Sequence, residues 1–346
     1  MKVVVTGGAG FIGSSLIKHI LRHSDVSIVN VDCLTYAGNL SSLDDCNDNK
    51  KYKFLETNIV DQDNIYEILQ REKPNIIMHL AAESHVDRSI DGPLAFMETN
   101  ILGTFSLLEA TRKYIKKTDN KILFHHISTD EVFGSLGRTG FFSEESHYSP
   151  NSPYSASKAS ADHLVRSWGS TYNIPYLITN CSNNYGPFQH PEKLIPATII
   201  NAVNGNEIKV YGTGENIRDW LYVEDHAEAL WMLANNCGKD QTYCIGGNNE
   251  KTNLEVVQKI CHLLNKIIDN NNDFSEQIRL VEDRPGHDMR YAIDTKKIQK
   301  DHNWQPRETF YSGLEKTINW YLKNETWCEA ALKDNPIEER MGLNPK

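Results

Sequence analysis

The chain has 346 residues, 39% of them hydrophobic and 24% charged, with a formal net charge of −10 from 36 basic and 46 acidic side chains. That acidity excludes nucleic acid as the main partner, and no apolar run is as long as a membrane span, so the composition is that of a soluble protein with a sizeable core. Seven cysteines without a Cys-x-x-Cys pair point to reduced thiols and a cytoplasmic setting, and the scattered histidines lack a metal-ligand spacing, so no metal is expected.

Lys2, Val3, Val4, Val5 and Thr6 make a β-branched run suited to a parallel strand buried on both faces, beginning too early to leave room for a signal peptide. The glycine-rich stretch 7–13 follows, then an amphipathic segment with Leu16, Ile17, Ile20 and Leu21 on one helical face, then an apolar run over 26–31 closed by Asp32. Strand, turn, helix, strand and acid, with Gly8-x-Gly10-x-x-Gly13 in the turn, form a dinucleotide-binding arrangement. The glycines give a tight turn, close approach of backbone to pyrophosphate and close packing of helix on sheet, and the helix start offers free N–H groups. Asp32 is placed to accept hydrogen bonds from an adenosine ribose, and its charge repels a 2′-phosphate, which favours NAD over NADP.

Further strands are expected over 52–55, 76–80, 122–127 and 176–179, and helices over 64–72, 94–115 and 155–172. This alternation implies an α/β fold with a Rossmann-type doubly wound parallel sheet, the NAD-binding domain spanning 1–180. Ligands in such sheets lie beyond the carboxyl ends of the strands, where this chain places small or polar residues: Thr6-Gly7, Asp32, Asn58, 81–84 and 128–131. Residues 180–196 carry loop chemistry. Short strands over 207–211 and 242–245 and helices over 225–235, 253–264 and 311–322 then suggest a smaller α+β C-terminal substrate domain, 181–346, that hands some elements back to the first. Residues 270–272, all Asn, read as a surface turn, and the segment after Lys323 as a polar tail with one helix.

Tyr154 and Lys158 stand at i and i+4, one face of a helix, where a lysine charge is expected to lower the phenol's pKa toward neutrality and let it take a hydroxyl proton while hydride leaves the same carbon. With Ser128 at a strand end upstream, these residues and the glycine turn resemble the extended short-chain dehydrogenase/reductases. Over nearly the whole chain the resemblance narrows to the nucleotide-sugar 4,6-dehydratases that act on dTDP-glucose. It is carried by the stretches 81–89, 127–132, 180–187, 191–196, 218–226 and 284–288.

The resemblance implies oxidation at carbon 4, loss of water across carbons 5 and 6, and return of hydride to carbon 6, giving a 4-keto-6-deoxy sugar for deoxysugar synthesis of the rhamnose type. The acid pair separates this from a sugar 4-epimerase, which needs redox alone. Glu131 is implied as the base at carbon 5, Asp130 as the acid on the carbon 6 hydroxyl, and Thr129 stands beside them. A dinucleotide-binding regulator would have no use for these two acids together with Tyr154 and Lys158. For NAD the implied set is Gly7, Gly10, Phe11, Ile12, Gly13, Asp32, Cys33, Leu34, Thr35, Asn58, Ile59, Leu80, Ala81, Ala82, Ser84, Thr99, Tyr154, Lys158 and Asn184. For the nucleotide-sugar it is Ser84, Thr129, Asn183, Lys193, Leu194, Lys209, Tyr211, Arg218, Asn253, Asp283, Arg284 and His287, with Arg218 and Lys193 suited to clamp a diphosphate.

Three residues depart from the family pattern. Asn58 replaces an Asp at the adenine, Phe133 replaces a Tyr, and Lys209 stands where a Pro usually precedes the strand beside the base pocket, leaving the choice of nucleotide base open. Segment 134–147 is also shorter than in many members. The helices 94–115 and 155–172 carry apolar residues on more than one face (Phe96, Ile101, Leu102, Phe105, Leu107, Leu108, Ile115), and the resemblance implies a homodimer through a four-helix bundle made from them.

Overall fold

A computed structural model of the chain describes residues 1–268 and 273–333. The asparagine run and the tail beyond Lys333 lie outside the described residues; the helix expected in the tail is present at Glu325–Lys333.

Six strands, β1 (Lys2–Thr6), β2 (Ser27–Asp32), β3 (Tyr52–Glu56), β4 (Ile76–His79), β5 (Leu123–Thr129) and β6 (Tyr176–Cys181), arise from the apolar runs of the first half. The second half adds β7 (Asn183–Tyr185), β8 (Ile208–Tyr211), β9 (Ile217–Tyr222), β10 (Gln241–Ile245), β11 (Glu250–Thr252) and β12 (Ile278–Val281). The main sheet has seven strands in the order β10-β6-β5-β4-β1-β2-β3, and every pairing in it is parallel. Chain order reverses between β1 and β4, where a parallel sheet opens a crevice at its carboxyl edge.

Alternation along β1 explains why the run has no polar interruption. Val3 and Val5 pack with Leu16, Ile20 and Leu230 on one face, while Val4 packs with Ile68 and Leu107 on the other. The smaller lobe holds the β11-β9-β7 sheet and the β12-β8 pair around its own cluster of Ile199, Val210, Trp220, Val257 and Leu314. Among the described residues no helix is long and apolar enough to cross a membrane.

The helix expected over 94–115 is not one regular helix. It runs as Pro93–Phe96, a π-helical segment Met97–Gly103, and Thr104–Thr118. The widened turn is held by Asn100, whose Nδ2 donates to the Glu83 carbonyl (3.0 Å) and to Ser157 Oγ (2.8 Å), and whose Oδ1 accepts from the Glu83 N–H (2.9 Å). Such a bulge commonly marks a functional site, and this one ties the segment after β4 to the helix Pro153–Tyr172. Of the apolar residues on this element, Phe96, Leu107 and Leu108 lie in the core, whereas Leu102 and Phe105 remain 51% and 38% exposed.

Candidate active site

The glycine turn occupies the switch point. A Cβ at Gly7 or Gly13 would strike backbone of Ala81 or of Gly7, whereas at Gly10 it would meet nothing closer than the Gly7 carbonyl at 3.3 Å. The turn is therefore packed tight on its inner side and open outside. Helix Phe11–His23 has no side-chain cap and no acid in its first turn, so its leading N–H groups, at Phe11 and Ile12, remain for an anion. These features fit a dinucleotide pyrophosphate. Asp32 closes β2 with Oδ2 accepting from the Ala9 N–H and Oδ1 from the Leu34 N–H, both at 2.9 Å. Each oxygen retains a second lone pair for a ribose hydroxyl.

Leu34 adopts a positive φ of 53°, a strained turn that throws Thr35 and Tyr36 over a second, smaller cavity of about 390 Å³. Cys33 is exposed beside it. Leu80, Ala81 and Ala82 follow β4 half-buried, as does Thr99 on the π-helical segment. Ile59 is buried against Gly103, so its side chain serves packing. Asn58 is exposed and its Oδ1 accepts from the Val60 N–H (3.0 Å), capping its own turn.

The acid pair sits on a short 3-10 turn, Asp130–Phe133, directly after β5. Thr129 caps it, its Oγ1 accepting from the Glu131 N–H (3.2 Å) and donating to Asp130 Oδ1 (3.3 Å). The two carboxyls have unlike surroundings. Asp130 is 1% exposed, and its Oδ2 has no hydrogen-bond partner among the described residues. Burial, followed by the charges of Glu131 and Asp219, pushes it well above the usual carboxylate range. Burial also raises Glu131, but Arg284, Arg218 and Lys193 all act to hold it ionised. Phe133 explains its missing hydroxyl, because it stacks on Phe142 (5.2 Å between centroids) and meets Tyr148 edge-on.

Helix Pro153–Tyr172 is fixed at its start by a capping box between Ser152 and Ser155 and by proline in the first turn. Tyr154 and Lys158 are both buried on it. The expected lowering of the Tyr154 pKa is not what the site produces. Burial and the Glu131 carboxylate push the phenol well above its usual value, with a hydrogen bond to Thr129 opposing them. The Lys158 ammonium instead donates to the Ile127 carbonyl at 2.8 Å. Spacing on a helix reveals who shares a face; it says nothing about the desolvation each group meets there.

A cleft of about 770 Å³ opens in front of Glu131. Of the residues expected around a nucleotide-sugar, Ser84, Asn183, Lys193, Leu194, Lys209, Tyr211, Arg218, Asn253, Arg284 and His287 line it. Thr129 and Asp283 do not. The first is tucked beneath the acid pair, and the second accepts from His287 Nδ1 (2.6 Å) and the Arg284 N–H (2.8 Å), orienting both. Arg218 is partly committed already, donating to the carbonyls of Ile217 (2.8 Å) and Asp288 (2.9 Å) while its guanidinium lies 4.3 Å from the centre of the Tyr291 ring. Lys193 Nζ donates to the Ser84 carbonyl (3.2 Å). Asn184 turns inward, its Oδ1 2.9 Å from His226 Nδ1 and its Nδ2 donating to the Ser182 carbonyl (3.0 Å).

Sequence reasoning passed over three residues here. Asp87 binds Arg284 Nη1 (2.7 Å) and the Tyr211 hydroxyl (3.1 Å), joining the two lobes across the cleft. Tyr291, in the cleft wall, donates to Asp288 Oδ2, and Asp288 Oδ1 accepts from Asn151. Local spacing does not single these out: Asp87 and Asp288 find Tyr211, Arg284 and Asn151 more than a hundred residues away, and the short Tyr291–Asp288 spacing carries no signal by itself.

Residues 4–317 match the family model described as GDP-mannose 4,6 dehydratase. The chain is 52% identical over 360 aligned positions to a dTDP-glucose 4,6-dehydratase of Escherichia coli, covering 99% of each chain. Among solved structures, the dTDP-glucose 4,6-dehydratase of Bacillus anthracis in complex with NAD superposes with a TM-score of 0.86 at 42% identity, over 96% of this chain and 99% of that one. The enzyme of the same name from Streptomyces venezuelae, with NAD and a TDP ligand bound, gives 0.88 at 38% identity, over 96% and 100%. With identity at that level running from end to end, this protein belongs to the dTDP-glucose 4,6-dehydratase family.

Proposed function

We propose that the chain is an NAD-dependent hydro-lyase that converts dTDP-glucose to dTDP-4-keto-6-deoxyglucose and water, a step of deoxysugar biosynthesis. The observation that carries the reading is the contrast within the acid pair: burial raises both carboxyls, but Asp130 is pushed well above the usual range with the Glu131 and Asp219 charges adding to the shift, whereas Arg284, Arg218 and Lys193 oppose it at Glu131. Elimination needs one proton donor and one proton acceptor. NAD, held by the glycine turn and Asp32, would supply the hydride chemistry between carbons 4 and 6. Around it, Tyr154 takes the proton from the carbon 4 hydroxyl, Glu131 removes the proton at carbon 5, and Asp130 protonates the departing carbon 6 hydroxyl. Thr129 keeps the carboxyls on one side by capping their turn. Arg284, Lys193 and the free donors of Arg218 supply positive charge for a diphosphate.

In this reading residues 1–180 bind NAD and 181–346 bind the nucleotide-sugar, with β10 returned to the first sheet. Incubation with dTDP-glucose yields a product with the alkali-induced absorbance of a 4-keto sugar. A dTDP-galactose product without that signal would instead mark a 4-epimerase. The same assay run with UDP-, CDP- and GDP-glucose measures how far Lys209, exposed at the cleft wall, relaxes the choice of base.

Two further readings belong here. The thiols are all unpaired, which supports a cytoplasmic setting. A homodimer is supported by the outward residues Leu102 and Phe105, the latter edge-on to Trp168 (5.8 Å), which in turn meets Tyr172 (5.6 Å) on the neighbouring helix. The double variant Leu102→Asp/Phe105→Asp then elutes from a sizing column at half the mass of the parent, with unchanged circular dichroism. An unchanged elution would remove this face from the interface.

A further inference from the structure

The helix Pro153–Tyr172 presents a third ionisable group on the face of Tyr154 and Lys158. Asp162 follows Lys158 by four residues, one turn along, and is 0% exposed. Its oxygens are held from several elements. Oδ2 accepts from the Tyr148 hydroxyl (2.8 Å) and from Asn180 Nδ2 on β6 (3.2 Å), and Oδ1 lies 3.1 Å from His126 Nε2 on β5. Asn180 Nδ2 also donates to the Thr129 carbonyl (3.1 Å), which ties the carboxylate to the strand end bearing the acid pair. Arg166 stands one step behind, its Nη2 donating to the Tyr148 hydroxyl at 3.0 Å.

Lys158 is buried as well, and its hydrogen bond to the Ile127 carbonyl neutralises no charge. A buried ammonium keeps its proton only beside an opposite charge. The groups that face it are Asp162 from its own helix, the Cys181 thiol from β6, His126 from β5 and the buried His79 from β4, which burial holds well below the usual histidine range. Burial pulls Lys158 below the usual lysine range, and Asp162 leads the groups that oppose this. Despite its own burial, Asp162 is held below the usual carboxylate range by His126, Lys158 and Ser128. His126, which leads the groups holding Asp162 low, is itself lowered to about 4 by burial and by the Lys158 charge.

We propose that Asp162 is a positioning residue for this reaction: the buried counter-ion that holds the Lys158 ammonium charged under Tyr154 and thereby sets the alkaline limit of oxidation at carbon 4. The proposal rests on the role given above to Tyr154 and takes Lys158, one turn from it on the same buried helix face, as the cation that favours proton transfer to the phenol's oxygen; no part of it requires Asp162 to touch the sugar.

The test is the pH profile of single-turnover oxidation by the holoenzyme with dTDP-glucose. In Asp162→Asn the alkaline limb moves to lower pH by ~1–3 units, because the ammonium loses its proton earlier. Asp162→Glu restores part of the shift. Tyr148→Phe, which removes a hydrogen bond and keeps the charge, leaves the limb where it was. A purely structural role would lower the rate equally at every pH with the limb unmoved, and that result overturns the proposal. Melting temperatures over the cycle of Lys158→Met and Asp162→Asn give a second reading that needs no activity. Lys158→Met raises the melting temperature, or the soluble yield, of Asp162→Asn, since no charge is then buried alone. Failure of the double variant to improve on Asp162→Asn overturns the pair. A parent enzyme that makes no 4-keto product would sink the proposed function instead, while this cycle would still report on the two charges.

Discussion

Replacing Tyr154 by phenylalanine lowers oxidation at carbon 4 by ~10²–10⁴-fold, the range for loss of a positioned general base. The ring keeps its place, because the substitution removes one oxygen and leaves the edge-on contact with Phe96 (6.3 Å between centroids) intact. Melting temperature and NAD content should therefore stay close to those of the parent while the transient reduced-nicotinamide absorbance disappears. Every later step needs the 4-ketone, since the ketone is what makes the proton at carbon 5 acidic, so dehydration falls by the same factor. A variant that kept the parent's transient would show that another group takes the hydroxyl proton. Thr129 is one alternative, since its hydroxyl stands at the same strand end and is already engaged with the acid pair.

The first half of the chain is legible because its signals are local. A β-branched run, a glycine turn, an amphipathic stretch and a closing acid each follow from neighbours in sequence, and β1 and the helix Phe11–His23 stand where those patterns place them. The second half is harder because its elements are made by partners at a distance. The helix Leu194–Val203 hides behind Pro196, which the first turn of a helix tolerates but which reads as loop beside Pro191 and Asn183-Asn184. β9 is polar at Arg218 and Asp219 because those residues are paired across the lobe. Asp219, for example, accepts from the N–H groups of Gly247 (2.9 Å) and Asn249 (2.6 Å). The widened turn at Met97–Gly103 is invisible to periodicity, since the apolar positions continue through it.

The site divides in the same way. The candidates for the reacting groups were legible, because Tyr154, Lys158, Asp130 and Glu131 sit in short stretches of high specificity. Their protonation was not. An ammonium four residues from a phenol suggests a lowered pKa, whereas the folded site surrounds that phenol with protein and with the Glu131 carboxylate. Asp162, Asp87 and Tyr291 are likewise ordinary polar residues until the fold buries them beside their partners.

Changing Glu131 to glutamine leaves oxidation at carbon 4 in place and slows loss of water by ~10²–10⁴-fold. The amide has nearly the shape of the carboxylate and keeps its place on the turn that Thr129 caps, yet it cannot accept the carbon 5 proton. The reduced-nicotinamide signal then forms and persists, and no 4-keto-6-deoxy product accumulates. Asp130→Asn gives the complementary pattern: proton exchange with solvent at carbon 5 continues, while departure of the carbon 6 hydroxyl slows for want of an acid. The pH dependence distinguishes the two further. Glu131 carries a negative charge that disfavours the Tyr154 phenolate, so removing the charge lowers the phenol's pKa, and oxidation at carbon 4 in Glu131→Gln rises at lower pH than in the parent. Asp130 is pushed further above the usual carboxylate range than Glu131, so Asp130→Asn removes less charge and moves that limb less. Full dehydration by Glu131→Gln, or equal shifts of the limb in both variants, would break the division of labour between the two carboxyls on which elimination in this cleft depends.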